Sequence, residues 1–252
     1  MPHRSRTIAG VEVTPLCDAV GPMGQAISKP FDRLFPGSPE GFDEPWVLHF
    51  HCYLLRADSG WTALVDTGIG GENSPAASWA PVPGVLESEL AAAGVTPAEV
   101  DTVILTHLHS DHASGAVVNG EPLFPNAWYV VQRAELDEVA PAIQEEVVGP
   151  LADRLRVVAG DHRDVAPGLH VQLTPGHTPG HQIARLGELA MTGDLVLHPV
   201  QLADPQVRYA YDHDQELAAR SRAEVLAGLR AEGAILGTGH FPEPFVDLGS
   251  RS

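Results

Sequence analysis

Apolar residues along this 252-residue chain fall into short runs that glycine, proline and polar clusters separate. Runs of roughly four to eight apolar and β-branched residues between turn signals are typical of buried β-strands. The sequence therefore predicts strands over 7–14, 46–55, 62–66, 102–106, 128–132, 155–160, 169–174, 183–188, 189–197 and 234–239. The polar stretch 57–60 between two of these runs predicts the turn of a β-hairpin.

Helical spacing of apolar residues predicts helices between these strands. The predicted helical segments are 84–93, a short turn at 96–101, a helix from about 133, 141–154 with a break near Gly149–Pro150, and 214–231. Because strands alternate with helices and hairpins also occur, we expect an α/β fold with mixed sheets and outer helices. We expect a single domain over 1–252, in which the irregular segment 21–46 forms an insertion or a lid.

Charge narrows the choice of partners. The chain has 33 acidic and 15 basic residues, a formal net charge of -18, and Lys29 is its only lysine. A nucleic-acid backbone or an anionic membrane surface is bound by a dense basic surface, so we expect neither partner. A small neutral or apolar substrate suits this charge better. The sequence leaves the oligomeric state open, with a homodimer as one alternative.

Targeting and redox signals are weak. No apolar run approaches the roughly 18 residues of a membrane-spanning helix, and the first residues lack the apolar segment of a secretory signal, so we expect a cytoplasmic protein. Cys17 and Cys52 form no metal-binding or redox motif. Both are expected to be buried free thiols.

The chain has 13 histidines, and several cluster in the stretch THLHSDH at 106–112. His107 and His109 lie two residues apart, so their rings point the same way in an extended segment. Asp111 and His112 follow where a helix is expected to begin. Four ligand-type side chains can thus converge after one buried strand. The alternative is that Asp111 caps the helix and the histidines lie at the surface.

Further ligand-type residues follow other predicted strands. The stretch PGHTPGH contains His177 and His181, TGD contains Asp194, and GTGH contains His240. Glycine or proline precedes each of them, which allows the chain to turn sharply and a short side chain to reach inward. One such histidine alone would favour a structural role. Together with the first cluster, His177, Asp194 and His240 are better explained as metal ligands.

These stretches, together with LVDTG at 64–68, resemble the motifs of the metallo-β-lactamase superfamily of metal-dependent hydrolases. The resemblance extends over about residues 7–241, with the motifs in their usual order. It implies a four-layer αββα sandwich of two mixed β-sheets flanked by helices, with the active site at one edge of the sheets.

The resemblance also implies a dinuclear site. One cation would bind His107, His109 and His177, the second would bind Asp111, His112 and His240, and Asp194 would bridge them. We expect two divalent ions, with Zn²⁺ as the first expectation and iron or manganese as alternatives. Asp66 then either orients a ligand histidine or makes hydrogen bonds at the start of its loop, and we weigh these two roles equally.

Within the superfamily, the chain resembles the lactonase and arylesterase-like branch. True β-lactamases of several subclasses lack an aspartate at the bridging position, which Asp194 fills here. The apolar segment 21–46 and Trp79 could line a pocket for an acyl or aryl group. We therefore predict attack of a metal-bridging hydroxide on a neutral ester or lactone. The alternatives are a glyoxalase II-like thioester hydrolase, a mononuclear-iron sulfur dioxygenase, and a binding module with a relict site.

The group that protonates the leaving oxygen is the least defined part of the prediction. Acyl-homoserine lactonases carry a tyrosine three positions after the bridging aspartate, where this chain has Leu197, followed by His198. The candidates are His198, Tyr209 and Tyr211, with Asp111 as a metal-bound proton shuttle. The predicted catalytic residues are therefore Asp111, Asp194, His198 and Tyr209.

Overall fold

The computed structural model describes residues 4–25, 27–39 and 46–249. Its strands, in chain order, are β1 (Arg6–Ile8), β2 (Val11–Pro22), β3 (Val47–Ala57), β4 (Thr62–Val65), β5 (Thr102–Ile104), β6 (Val117–Val118), β7 (Glu121–Pro122), β8 (Trp128–Gln132), β9 (Leu155–Val158), β10 (His162–Ala166), β11 (Leu169–Leu173), β12 (Gln182–Leu186), β13 (Leu189–Met191), β14 (Ile235–Gly237) and β15 (Phe245–Asp247).

Helices connect and cover the strands. They are α1 (Phe31–Leu34), α2 (Leu86–Ala92), α3 (Ser110–Ala113), α4 (Arg133–Asp137), α5 (Pro141–Ile143), α6 (Gly149–Leu151), α7 (Pro199–Ala203) and α8 (Gln215–Ala231). Short 3₁₀ turns occur at Pro97–Glu99, Ser114–Ala116, Ala152–Arg154 and Gly193–Leu195.

Two mixed sheets form the centre of the fold. The first has the strand order β1-β2-β3-β4-β5-β8-β9, the second has the order β10-β11-β12-β13-β14-β15, and β6 and β7 form a small hairpin. The sheets pack through an inner core that includes Val13, Tyr53, Leu55, Val171 and Leu186. Alternation along each strand directs every second side chain into this core.

Helices pack on both outer faces. Leu90 of α2, Ile143 of α5 and Leu151 of α6 belong to the apolar cluster outside the first sheet. Leu226 and Leu229 of α8 belong to the cluster outside the second sheet. The predicted αββα sandwich of mixed sheets is therefore confirmed.

Parallel strand pairs in both sheets bring their carboxyl ends to the site edge. In the first sheet Val65 of β4 lies beside Ile104 of β5, and in the second Met191 of β13 lies beside Gly237 of β14. The edges meet where the backbone N–H of Gln182 donates to the Thr106 carbonyl oxygen at 2.9 Å. Residues just beyond four strands therefore converge on one small volume, as expected for α/β folds.

The predicted strand over 7–14 is in fact two strands joined by a tight turn. Ala9 and Gly10 both have positive φ, 48° and 79°, which matches the twist of a two-residue hairpin. Glycine favours such a turn, but alanine is uncommon in this conformation, so the Ala-Gly pair was not recognised as a hairpin turn. β2 then continues to Pro22, well past the predicted end.

Three further differences concern short or polar strands. The strand predicted over 189–197 ends at Met191, because the chain turns at Gly193, where φ is 46°. The exposed strand β10 and the short strand β15 have no apolar run that could predict them. The hairpin of β6 and β7 was also missed, although Asn119 and Gly120, with φ of 52° and 79°, form the two-residue turn that an Asn-Gly pair favours.

The helical segment 141–154 stays helical through its predicted break. A wide π-helical turn spans Gln144–Val148, and the Gly149 N–H donates to the Gln144 carbonyl oxygen five residues earlier. This widened turn precedes Pro150, which has no N–H to donate. The predicted break was therefore wrong.

The predicted lid or insertion at 21–46 is only partly described. Residue 26 and residues 40–45 lie outside the described residues. Within 27–39, Leu34 and Phe35 are buried in a cluster with Leu197 and Tyr209. Movement of this segment as a lid, like the single-domain boundary 1–252, stays a prediction. In the described ranges no helix has the length and apolar character needed to cross a bilayer.

Asp18 ties the first sheet to the loops that follow β4. It lies in the bulge of β2 between Cys17 and Val20 and is 1% exposed. Its Oδ2 accepts the Ile69 N–H at 2.8 Å and its Oδ1 accepts the Leu86 N–H at 2.7 Å. Burial raises the pKa of Asp18 to about 6, although these N–H donors oppose the increase.

Substitution Asp18→Asn should destabilise the fold. An amide group can offer only one acceptor oxygen, so its NH₂ would face a buried backbone N–H. We expect the free energy of unfolding in urea to fall by about 1–3 kcal/mol. Asp58→Asn, in the exposed turn after β3, is the matched control and should change stability by less than about 0.5 kcal/mol. Equal stability of the two variants would contradict this role for Asp18.

Candidate metal centre

The predicted ligands lie in four segments that leave the strand ends at the site edge. These segments are 105–112 after β5, 174–181 between β11 and β12, 192–195 after β13, and 238–241 after β14. The structure brings their side chains into two groups that share Asp194, and the ligand atoms within each group lie within 4.8 Å of one another. The groups are His107, His109, His177 and Asp194, and Asp111, His112, Asp194 and His240.

Asp194 lies between the two groups. Its Oδ1 is 3.1 Å from His112 Nε2 and 3.0 Å from His240 Nε2. Its Oδ2 is 3.1 Å from His177 Nε2 and 3.8 Å from His107 Nε2. One carboxylate oxygen therefore faces each group, which is the arrangement expected of a bridging ligand.

A sharp turn places Asp194 in this position. Gly193 has a positive φ, and a Cβ there would lie 2.8 Å from Thr106 Cβ. The Asp194 N–H donates to His181 Nε2 at 3.1 Å, and His181 Nδ1 lies 2.7 Å from Thr174 Oγ1. His181 Nε2 accepts, so Nδ1 carries the ring hydrogen and donates to Thr174. His181 thus holds the backbone of the bridging residue.

Buried acceptors orient the ligand histidines from behind. His112 Nδ1 donates to Asp66 Oδ2 at 2.8 Å, and His240 Nδ1 donates to the His49 carbonyl oxygen at 2.8 Å. His177 Nδ1 lies 2.9 Å from Asp212 Oδ1. These contacts turn each Nε2 toward Asp194.

The hydrogen bonds of Asp66 match both of its predicted roles. It accepts the Thr106 N–H at Oδ1 and the Thr106 hydroxyl at Oδ2, each at 2.8 Å. It also has a positive φ of 60°. Asp66 therefore makes the predicted hydrogen bonds at the start of its loop and orients His112 as well.

Carboxylates at the centre of the cluster favour the protonated form of two ligand histidines. Burial alone would lower the pKa of His112, but Asp194, Asp111 and Asp66 raise it well above its ordinary value. Burial also opposes protonation of His177, yet Asp194 above all raises its pKa to about 9. A divalent cation would supply the same positive charge at the same place.

Two of the ligand histidines stay neutral, so each keeps a nitrogen lone pair that can bind a metal. Burial lowers the pKa of His107 well below its ordinary value, and the neighbouring His112 and His109 lower it further. Burial and His177 lower the pKa of His109 to about 4. Neutral imidazole is the form that ligates metals.

Several buried polar atoms point to a common centre. His107 Nε2, His112 Nε2 and Asp194 Oδ1 are buried and have no hydrogen-bond partner among the described residues. His112 Nε2 and Asp194 Oδ1 are only 3.1 Å apart, but their geometry is not that of a hydrogen bond. Uncompensated buried polar atoms are costly, so the donor set fits bound cations. Nitrogen and oxygen ligands without sulfur suit zinc, and also iron or manganese.

A family model of the metallo-beta-lactamase superfamily matches residues 48–240. The chain belongs to the metallo-β-lactamase superfamily. An N-acyl homoserine lactonase from Bacillus sp is 32% identical to it over a 209-residue alignment, and the match covers 75% of this chain and 80% of that protein.

Solved structures share the fold of this chain. A dizinc quorum-quenching lactonase, AidC, has a TM-score of 0.80 at 20% identity and covers 97% of this chain and 92% of its own. The hydrolase AbOPH has a TM-score of 0.80 at 24% identity, with 96% and 91% covered. At these identities the structural matches establish the fold.

The two remaining predicted residues occupy different surroundings. His198 lies in an aromatic cluster, with its ring centroid 4.9 Å from that of Phe31 and 5.3 Å from that of Phe35. Its Nδ1 accepts the Val200 N–H at the start of α7, and burial lowers its pKa to about 4. His198 therefore belongs to neither of the two ligand groups.

Tyr209, in contrast, lines a cavity of about 270 Å³ beside the cluster. Its ring stacks on that of His177, with centroids 6.2 Å apart and planes 27° apart. Tyr211 also lines this cavity, but its hydroxyl donates to the Ile27 carbonyl oxygen at 2.6 Å. The cavity is otherwise lined by ligand residues and by apolar side chains that include Met23, Leu48, Trp79 and Leu197.

Sequence reasoning missed two carboxylates behind the ligands. Asp212 contacts His177, and Glu135 holds two ligand segments together. Glu135 Oε2 accepts the Leu108 N–H at 2.9 Å, and Oε1 accepts the Gly180 N–H at 2.8 Å and the Thr178 hydroxyl. The burial of Glu135 at the start of a helix was the signal, but it is visible only in the folded chain.

Substitution Glu135→Gln should loosen the metal centre. The amide NH₂ would replace one acceptor oxygen and face a backbone N–H. One of the hydrogen bonds that hold the segments of His109 and His177 at a fixed distance would then be lost. We expect zinc affinity, measured by competition with a chromophoric chelator, to fall about 10–100-fold.

Glu138→Gln is the matched control, because Glu138 lies exposed just beyond α4. Its zinc affinity should equal that of the wild type. Unchanged affinity in Glu135→Gln, with the fold intact by circular dichroism, would refute the positioning role.

Proposed function

We propose that this protein hydrolyses neutral lactones that carry an apolar acyl arm. The observation that carries the proposal is the cavity beside Asp194, which both ligand residues and apolar side chains line. Its dimensions and mixed lining suit a small, uncharged substrate. The acyl-homoserine lactonases among the relatives support the same substrate class.

The chain is a metal-dependent hydrolase of the ester or lactone class, as its superfamily and relatives indicate. The first ligand group would hold one cation, the second group would hold another, and Asp194 would bridge them. When bound, a pair of divalent cations supplies a hydroxide nucleophile near neutral pH and polarises the carbonyl oxygen under attack.

Asp111 is positioned to carry a proton between nucleophile and leaving group. Its Oδ2 lies 3.4 Å from His112 Nε2 and 3.5 Å from His240 Nε2, and it lines the cavity. Burial alone would raise its pKa, but His112 above all holds it below the ordinary value. Oδ2, which faces the ligand histidines, would hold the cation, and Oδ1 can accept a proton and donate it to a departing alkoxide.

Tyr209 is the group of this chain best placed to hydrogen-bond the substrate. It faces the cavity, whereas His198 packs among aromatic rings and the Tyr211 hydroxyl is engaged by Ile27. Burial raises the pKa of Tyr209 well above its ordinary value. Its hydroxyl therefore keeps its proton and can donate it in a hydrogen bond.

The alternatives differ in what they require of the site. A mononuclear-iron dioxygenase needs one ligand group, whereas this chain places a second, complete group around Asp111, His112 and His240. A thioester hydrolase would use the same ligands, so matched substrates must separate the two activities. We expect lactones to be hydrolysed faster than thioesters of the same acyl group.

Substitution Asp194→Asn should abolish most of the activity. It removes the charge that both ligand groups share while keeping the side-chain shape. We expect hydrolysis of N-hexanoyl-L-homoserine lactone to fall at least about 100-fold, with loss of bound metal measured by mass spectrometry. Asp58→Asn should keep the activity of the wild type. Full activity and metal content in Asp194→Asn would overturn the proposed site.

Substitution Tyr209→Phe tests the substrate contact. We expect kcat for lactones to fall about 10-fold, the loss of about one hydrogen bond in the transition state. An aryl ester with an acidic phenol needs little help in departing, so its rate should change less than about 2-fold. Metal content should remain unchanged. An equal loss on both substrates would contradict a role for Tyr209 at the leaving group.

A further inference from the structure

A second cluster of ligand-type side chains lies on β2 and β3, outside the seven residues of the metal centre. It consists of Cys17, His49 and His51, and one ligand atom from each lies within 4.8 Å of the others. No residue is shared with the two ligand groups around Asp194. The cluster therefore needs its own explanation.

Sheet register brings these three side chains to one face. Cys17 of β2 pairs with His51 of β3, and after the bulge Val20 pairs with His49. His49 and His51 are two residues apart on β3, so their side chains point to the same side of the sheet. Tyr53, the next residue in this series, belongs to the core between the sheets.

The contacts within the cluster are close. Cys17 Sγ lies 3.7 Å from His49 Nδ1, and the rings of His49 and His51 stack with centroids 5.4 Å apart and planes 26° apart. His51 Nε2 donates to the Phe241 carbonyl oxygen at 2.9 Å. In that tautomer Nδ1 of His51 carries the lone pair.

The three side chains of the cluster differ in how far they are buried. His51 is buried, whereas Cys17 and His49 are half-buried, so the cluster lies partly open to solvent. This combination suits a cation that has three protein ligands and an open fourth position. It also departs from the expected burial of Cys17, since of the two free cysteines only Cys52 is fully buried.

We propose that Cys17, His49 and His51 bind a third divalent cation, zinc, separate from the dinuclear centre. One sulfur and two imidazole nitrogens form a soft donor set that favours zinc over magnesium or calcium. The thiol donates to the Ala19 carbonyl oxygen at 3.5 Å, and burial raises its pKa. Cation binding therefore has to release the thiol proton.

This cation would bind to the strand segment that supports one ligand of the metal centre. The His49 carbonyl oxygen accepts the His240 Nδ1–H at 2.8 Å, and the His51 N–H donates to the Gly239 carbonyl oxygen at 2.9 Å. The cluster thus lies on the segment of β3 that supports His240. Occupancy should stabilise the folded protein, because a ligand that binds the native state raises its melting temperature.

Cobalt substitution distinguishes this site from the dinuclear centre. The ligands around Asp194 contain no sulfur, so a thiolate-to-cobalt charge-transfer band in the near ultraviolet can arise only from a cysteine. We expect the cobalt-loaded protein to show this band and to bind three cobalt ions per chain. The readout needs no activity, so it is independent of the proposed lactone hydrolysis.

Two cysteine variants provide the test and its control. Cys17→Ser should lose the band and bind two ions per chain, whereas Cys52→Ala should keep the band and bind three. Cys52 belongs to the apolar cluster on the opposite face of β3. His51→Gln should weaken cobalt binding to the third site at least about 10-fold.

The wild-type protein alone can overturn the proposal. Two ions per chain without a charge-transfer band at saturating cobalt would refute the third site. An undiminished band in Cys17→Ser would do the same, because the sulfur would then come from elsewhere. The first result is measured on the wild type and does not depend on how stably a variant folds. Neither result bears on the function proposed for the Asp194 centre.

Discussion

The carboxylate of Asp194 is buried against four imidazole nitrogens at distances of 3.0 to 3.8 Å. A charge in this position loses its hydration and can persist only when opposite charge surrounds it. Burial opposes ionisation of Asp194, yet His112, His240 and His177 hold its pKa well below the ordinary value. This balance requires positive charge on both sides of the carboxylate, from protons or from cations. The rest of the site can be understood as a means of fixing that arrangement.

Fixing it requires contacts between segments that are distant in the chain. Asp66 connects the end of β4 to His112, Glu135 connects the segment after β5 to the loop before β12, and Asp212 reaches His177 from the loop before α8. Each contact buries a polar group, and the free-energy cost of that burial is offset by hydrogen bonds to backbone or imidazole donors. The two sheets make these contacts possible because their strand ends meet at one edge.

These contacts also explain what the sequence could predict. His107, His109, Asp111 and His112 lie in one short stretch after a buried strand, so local spacing was enough to group them. Asp194 could be recognised from its glycine turn and the family motif. Asp212 and Glu135 could not, because their roles depend on partners that only the fold brings near. Mixed sheets with outer helices were predictable from alternating apolar runs, and the αββα sandwich was predictable from the family resemblance. In contrast, β10 and β15 have no long apolar run, and Gly10 was the only turn-type residue at Ala9–Gly10.

The residues that line the cavity need less precise positions than the metal ligands do. A ligand must reach a point defined by Asp194 within a few tenths of an ångström, whereas a substrate contact needs only to face the cavity. Leu197 is buried with Phe35 and Tyr209 in one cluster, and both Leu197 and Tyr209 line the cavity. A hydroxyl absent at position 197 can therefore be supplied from the later loop that carries Tyr209. The reaction of such a site can therefore stay the same while the segment that contacts the substrate changes. For this reason the ligand pattern predicts the class of reaction better than it predicts the identity of the substrate.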